Sequence, residues 1–375
     1  MAVDIKEVRT KSDLKKFIHF PMKLYKGNPC FCPPLVFDEL STLSKKNPAF
    51  ETSDYIFYLA YKNGVIAGRI AGIVNRLANE QWQVKKVRFG WVDFIDDMEV
   101  SQALFEAVCE WGKSKGMEQM NGPVGFTDFD HQGLMLEGFE HNSPMASLYN
   151  HEYYIKHFEQ YGLLKEVDWI EYKITPPNAV PERMERIAQL VTTKHNLRVD
   201  KVRSAKELKK KYGYTFMDVL NDAYLSLYNY SPLTEKQRRY YADMYFPMIN
   251  FDFVTVIANE KNEIVGVGVG MPNLSEVLRK CNGKLFPFGF IRILRALKAK
   301  KMDRFDLLLI AVRSDYQNKG VNALFFNDQI PYFIKYGIKE VETSAILETN
   351  TKSLANYELF DKVQHKRRRA YIKDI

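Results

Sequence analysis

The stretch Leu307-Leu308-Leu309-Ile310-Ala311-Val312-Arg313-Ser314-Asp315-Tyr316-Gln317-Asn318-Lys319-Gly320-Val321 decides how the rest of the chain is read. Its apolar run predicts a buried strand, its polar middle a short turn, and Val321 the opening of a helix. A strand that enters a helix through so short a turn leaves backbone N–H groups without partners. The positive end of the helix dipole bears on the same spot, and anions bind at such places.

Working outward, residues 253–258 and 264–269 read as a hairpin about Glu260–Asn262. After the turn come a helix over 321–336 closed by Gly337, a strand over 340–346, a helix over 351–360 and a last strand over 369–373. Helices over 215–227 and 235–245 precede this set. The first half carries a similar order: strands 55–61 and 65–74 joined at Asn63-Gly64, then an amphipathic helix over 100–115 closed by Gly116. Pro176-Pro177 and Pro181 separate the halves, since consecutive prolines break helix and sheet alike. The expected class is α+β, with two tandem domains, 1–175 and 176–375, each a mixed twisted sheet flanked by helices.

The second half resembles a GCN5-related acyltransferase (GNAT) domain over 210–375 in element order, with its motifs in 306–360. The resemblance implies an acyl-CoA donor whose pyrophosphate lies on a turn of pattern Gln/Arg-x-x-Gly-x-Gly/Ala. Here that turn is Gln317, Asn318, Lys319, Gly320, Val321 and Asn322, the last departing from the usual small residue. It further implies that backbone N–H groups near Ala311 and Val312 polarise the thioester. Asn350-Thr-Lys-Ser353-Leu-Ala-Asn-Tyr357 resembles the family's Asn-x-x-Ala/Ser-x-x-x-Tyr segment, which implies a cofactor-side Asn350 and a Tyr357 directed at the CoA sulfur. A phenol there assists departure of the thiolate. Read as residues alone, Asn350 is a helix N-cap and Tyr357 a packing side chain. The family's Gly-Phe after the tyrosine is replaced by Asp361-Lys362.

The first half has no phosphate turn. Before its helix stands Asp93-Phe94-Ile95-Asp96-Asp97-Met98-Glu99, whose carboxylates suit a helix N-terminus but repel a pyrophosphate. The expectation is a degenerate first domain without CoA binding. Gly68–Gly72, Gly122-Pro123, Gly133-Leu134, Glu137-Gly138-Phe139, Tyr153-Tyr154 and the prolines of 28–48 together resemble the tandem-GNAT group that contains bacterial ceramide synthases. This implies acyl transfer to an amine, in the form of a long-chain sphingoid-type base. In the loop 121–140, His131 titrates nearest neutrality and is the candidate general base; hydrogen bonding to neighbouring carboxylates is the alternative.

The chain has 375 residues with 46% hydrophobic and 14% aromatic content, enough for well-filled cores. Its net charge of +8 gathers at 206–211, 279–304 and 362–369. No signal-peptide or membrane-spanning pattern is present, so a cytoplasmic protein, peripheral at the inner membrane face, is expected. Cys30-x-Cys32 lacks a second ligand pair, and no metal is expected. Residues 285–301 read as a helix with Phe290, Ile291, Ile293, Leu294 and Leu297 on one side and Arg292, Arg295, Lys298 and Lys301 on the other. Such a segment is a lid, a core helix or an interfacial membrane contact. The leading function is an acyl-CoA-dependent N-acyltransferase with direct amine attack, acting on acyl-CoA and an amine acceptor of lipid-like kind, with no nucleic-acid partner. The alternatives are a Fem-type aminoacyl-tRNA peptidyltransferase, which needs a basic RNA track, and a non-catalytic acyl-CoA- or lipid-binding protein.

Overall fold

The computed structural model describes residues 2–375. Alternating and β-branched segments form one 14-stranded sheet. In the first half these are β1 (Asp4–Glu7), β2 (Ser53–Lys62), β3 (Val65–Asn75), β4 (Lys86–Phe94), β5 (Gln119–Gly122), β6 (Leu134–Glu137) and β7 (Leu164–Thr175). The second half supplies β8 (Arg198–Val199), β9 (Val254–Ala258), β10 (Ile264–Pro272), β11 (Arg304–Val312), β12 (Glu340–Thr343), β13 (Ile346–Leu347) and β14 (Asp361–Asp374).

The order across the sheet is β1-β2-β3-β4-β5-β14-β7-β12-β11-β10-β9-β8. The last strand of each half is therefore exchanged. β14 lies between β5 and β7 of the first half, and β7 lies between β14 and β12 of the second. Tyr371 of β14 belongs to the first half's core beside Phe89, Phe105 and Phe158.

Helices cover both faces. Met98–Ser114 buries Val100, Leu104, Phe105 and Val108 against β3 and β4. Asn322–Tyr336 buries Phe326, Ile330 and Phe333 against Phe305 and Leu307 of β11. Thr215–Tyr224 and Glu235–Tyr245 cover the other face of β9 to β11. The fold is the expected α+β class with a mixed sheet flanked by helices.

Several local expectations are corrected. The strand expected over 340–346 breaks after Thr343, and Ile346–Leu347 pairs with β7 instead of continuing beside β11. The helix expected over 351–360 is only Thr351–Ala355, so Tyr357 lies beyond it. The final strand runs from Asp361 rather than 369, because exchange gives it partners along its whole length.

Candidate acyl-donor site

The same local event occurs twice in the sheet. β11 and β12 pair in parallel from Arg304↔Glu340 to Leu307↔Thr343, and Ser344 N–H closes the pairing on Leu307 O at 2.9 Å. β12 then leaves, while β11 continues against β10 as far as Val312. A wedge opens from Leu308 onward. In the first half β4 and β5 pair from Lys86↔Gln119 to Arg88↔Asn121 and part in the same way.

The two wedges differ in what fills them. Residues 123–131 plug the first: a Cβ on Gly90 would lie 2.5 Å from Val124 O, and Phe126 is fully buried against Phe50. The helix that follows is capped by its own Asp97, whose carboxylate accepts from Glu99 N–H at 3.1 Å and is paired with Lys62. Asp93 is held by Arg69 and Tyr25, and Asp96 by His157. The acidic run thus occupies the place an anion would take.

At the second wedge the helix Asn322–Tyr336 has no side-chain cap. Among the described residues, the backbone N–H groups from Asn318 to Asn322 donate to no protein acceptor. Asn318 and Gly320 take left-handed backbone, φ +61° and +75°, which turns successive N–H groups toward one side. Gln317 braces the turn by donating from Nε2 to Val312 O at 3.2 Å. Lys319 is exposed, has no ion-pair partner among the described residues, and lies 4.9 Å over the Tyr316 ring. Arg313 is committed to Asp315 and Glu263. Ser314 N–H donates to Asp222 at 2.6 Å, which ties the turn to the helix Thr215–Tyr224.

Arg313 N–H donates to Val265 O on β10, so strand alternation directs the Val312 N–H into the wedge and the Ala311 N–H toward β10. Asn322 departs from the small residue of the resemblance, and its Nδ2 donates to Asn356 Oδ1 at 2.9 Å. That bond joins the phosphate-type turn to the Asn350–Tyr357 segment. Asn350 caps Thr351–Ala355, accepting from Ser353 N–H at 3.1 Å. Tyr357 is buried, with its ring 5.8 Å from Phe326 and 6.2 Å from Tyr172. Burial raises its pKa, so the phenol stays protonated and able to donate at neutral pH.

The plugging loop of the first half reaches this region. The pKa of half-buried Tyr224 is raised by burial and then by the neighbouring Asp128 and Tyr357. Asp128 is itself pushed up to about 6 by burial, against the pull of Arg88. His131 is placed otherwise. Its Nε2–H donates to Met145 O at 3.0 Å, burial lowers its pKa, and the charged groups around it are Glu39, Arg368 and Arg69.

Sequence reading missed a second polar cluster, because its members come from four strands. Asp306 on β11 faces Glu342 on β12, Glu342 pairs in register with Lys173 on β7, and Lys366 on β14 with Glu171 on β7. Lys366 is fully buried; its ammonium contacts Glu342 and donates to Asn142 O at 2.8 Å. Arg368 pairs with Glu171. A cavity of about 200 Å³ opens beside them, lined by Asp306, Glu342, His365, His141, Asn273 and Glu140 among others. Glu171, Glu342 and His365 each place one ligand atom within 4.8 Å of the others, the spacing of a metal trio. The Lys366 ammonium already lies between the two carboxylates, 3.8 Å from Glu171, where a cation would sit.

No protein-family model matches the chain. Among curated proteins it is similar to Protein YghO of Escherichia coli strain K12, 30% identical over 376 residues that cover 97% of this chain and 94% of that one. It is also similar to a bacterial ceramide synthase of Caulobacter vibrioides, 27% identical over 358 residues, 92% of this chain and 90% of that one. Among solved structures it shares its fold with a tandem GNAT protein from the clavulanic acid biosynthesis pathway. The TM-score is 0.59 at 9% identity, over 99% of this chain and 98% of the other. The chain belongs to the family that contains YghO, built on the tandem GCN5-related acyltransferase fold and related to bacterial ceramide synthase.

Proposed function

We propose that the protein is an acyl-CoA-dependent N-acyltransferase whose second half binds the donor and whose acceptor is a lipid-like amine of sphingoid type. The observation that carries this is the run of free N–H groups from Asn318 to Asn322 at the mouth of an open β-wedge, beside an uncapped helix. A pyrophosphate on that turn satisfies donors that no protein group meets, with Lys319 as a free cation alongside. The acyl arm then runs along β11 past the Val312 N–H, with its thioester toward the closed end of the wedge, and the Tyr357 hydroxyl supplies the proton that the departing thiolate needs. Asn350 and Asn322 hold the segment that carries Tyr357. The capped and plugged first half binds no CoA in this reading.

Proton acceptors in the first-half loop are few. His131 has only Nδ1 free to accept, because Nε2 is engaged with Met145. Asp128, next to Tyr224, is better placed to serve as the base.

A lipid-like acceptor fits the surface of the segment that connects β10 to β11. The helix Gly289–Leu297 buries Ile293 and Leu297 against Leu274, Leu278 and Met271. Its other side and the preceding turn expose Phe286 at 77%, Phe288 at 65% and Leu294 at 48%. Lys284, Arg292, Arg295, Lys298, Lys300 and Lys301 surround them, all exposed. Aromatic side chains ringed by cations suit the surface of an anionic membrane. Among the described residues no helix is long and apolar enough to cross one.

Isothermal titration with acetyl-, octanoyl- and palmitoyl-CoA tests the donor reading. Binding of at least one acyl-CoA at micromolar concentration is expected, followed by amide formation with a long-chain amine. Absence of binding by all of them overturns it.

A further inference from the structure

The cavity beside Asp306 lies on the face of β11 opposite the helix Asn322–Tyr336, since Phe305 and Leu307 point to that helix and Asp306 points away. It also lies at the closed end of the wedge, where β11 and β12 still pair, whereas the anion turn lies at the open end. A donor held by its phosphates at one end therefore brings its reactive end toward the other. The cavity is polar and its charges are unevenly matched. Glu342 has Lys366, Glu171 has Arg368, and Glu340 has Lys173 and Arg304, but the buried Asp306 carboxylate has no ion-pair partner: it accepts from the neutral Asn273 amide at 2.8 Å, and Lys366 and Arg304 act on it only from farther off. His365 lines the same cavity with its side chain 3% exposed; its Nε2 lies 3.5 Å from Glu342 Oε1, and neither ring nitrogen makes a hydrogen bond. A buried imidazole with both nitrogens unpaired is costly unless a ligand completes it.

We propose that this cavity receives the head group of the acceptor, a primary ammonium with a hydroxyl on the adjacent carbon. The inference rests on the acyltransferase reading for its link to catalysis. Asp306 offers the charge that an ammonium lacks elsewhere in the cavity. Burial pushes the Asp306 pKa up to about 7 against the pull of Asn273, Lys366 and Arg304, and an ammonium beside it would hold it ionised. His365 supplies the second half of the recognition. Burial and the nearby Lys366 lower its pKa to about 3, so the ring is neutral and carries one donor and one acceptor. A hydroxyl can accept from the protonated nitrogen or donate to the other, so it pairs with whichever one faces the cavity. A simple alkylamine leaves that nitrogen unpaired, and an alcohol without the amine leaves Asp306 uncompensated.

The test is calorimetric titration of the full chain with three probes of equal length: 2-amino-1-octanol, octylamine and 1-octanol. The expected order is amino alcohol tighter than amine by about fivefold or more, with no measurable binding of the alcohol. Asp306→Asn keeps the Asn273 bond and is expected to weaken both amines at least tenfold, while acyl-CoA affinity is unchanged. His365→Leu is expected to erase the preference for the amino alcohol over octylamine. Equal binding of octanol and octylamine, or amine affinity within twofold of wild type in Asp306→Asn, overturns the inference. Should acyl-CoA fail to bind while amine binding still depends on Asp306, the acyltransferase reading falls and the amine site stands.

Discussion

At Gly320 the backbone takes φ +75° and a Cβ would lie 3.1 Å from Val191 Cγ2 of the neighbouring helix Glu182–His195. An aspartate there meets the strain of the left-handed region, crowds Val191 and places a carboxylate where the donor's phosphates belong. Gly320→Asp is expected to reduce acyl-CoA affinity by at least a hundredfold in titration calorimetry, with the protein still folded by circular dichroism. Tyr357→Phe separates binding from chemistry. Its ring packs against Phe326 and Tyr172 with or without the hydroxyl, so acyl-CoA affinity is expected to stay within about twofold. Loss of the proton donor is expected to slow transfer by about a hundredfold. An unchanged turnover number would remove Tyr357 from the reaction. Gln317, Gly320 and Asn350 were legible in the sequence because a turn or a cap is fixed by residues within a few positions of one another. Asp306 and His365 were not, because strand register brings them to one cavity from places far apart in the chain.

Elements tell a similar story of local against long-range information. The hairpin β2–β3 turns at Asn63-Gly64, both with positive φ, as its sequence demands. The charged run at 362–369 signals only charge when read alone. In the sheet it becomes β14, with Lys366 and Arg368 fully buried and Arg367 and Arg369 gathered on Asp168 of β7. Burial alone would raise the Asp168 pKa, but hydrogen bonds from Arg369, Lys165 and Arg367 outweigh it and hold the carboxyl at about 2. The folded pKa lies below the unfolded value of about 3.9, so this stabilisation is present above pH 4. It is lost as the pH falls from about 4 toward 2. Asp168→Asn is expected to lower stability at pH 7 by about 2 kcal/mol, with the difference from wild type shrinking over that acid range in urea titrations. The segment before Gly289–Leu297 yields a second expectation at this scale. Phe286→Ser with Phe288→Ser is expected to cut binding to vesicles containing phosphatidylglycerol about tenfold in sedimentation, leaving acyl-CoA affinity unchanged. Equal sedimentation would mean that the exposed rings serve something other than a lipid surface.

For the whole molecule, the exchange of β7 and β14 makes the halves depend on each other for their sheets. The Pro176-Pro177 join follows β7 directly, so residue 175 divides the chain but not the sheet. β14 contributes Tyr371 to the first core and pairs with β5, β6 and β7. Removing it opens the first half's sheet and bares one edge of β7. The halves should therefore melt together, although each has its own hydrophobic core. Calorimetry of the full chain is expected to show one transition with equal calorimetric and van't Hoff enthalpies. A chain ending at residue 360 is expected to lose the protected core of both halves in hydrogen exchange, not only that of the second. Two resolved transitions in the full chain would mean that the exchanged strands add little to cooperativity. The same interlocking gives the first half its present use. Its wedge is plugged, yet its loop carries Asp128 beside Tyr224, and its strand β7 carries Glu171 and Lys173 beside the Asp306 cavity. In the proposed reading, a half without an anion turn still frames the site of the half that has one, and exchange of strands keeps the two in register.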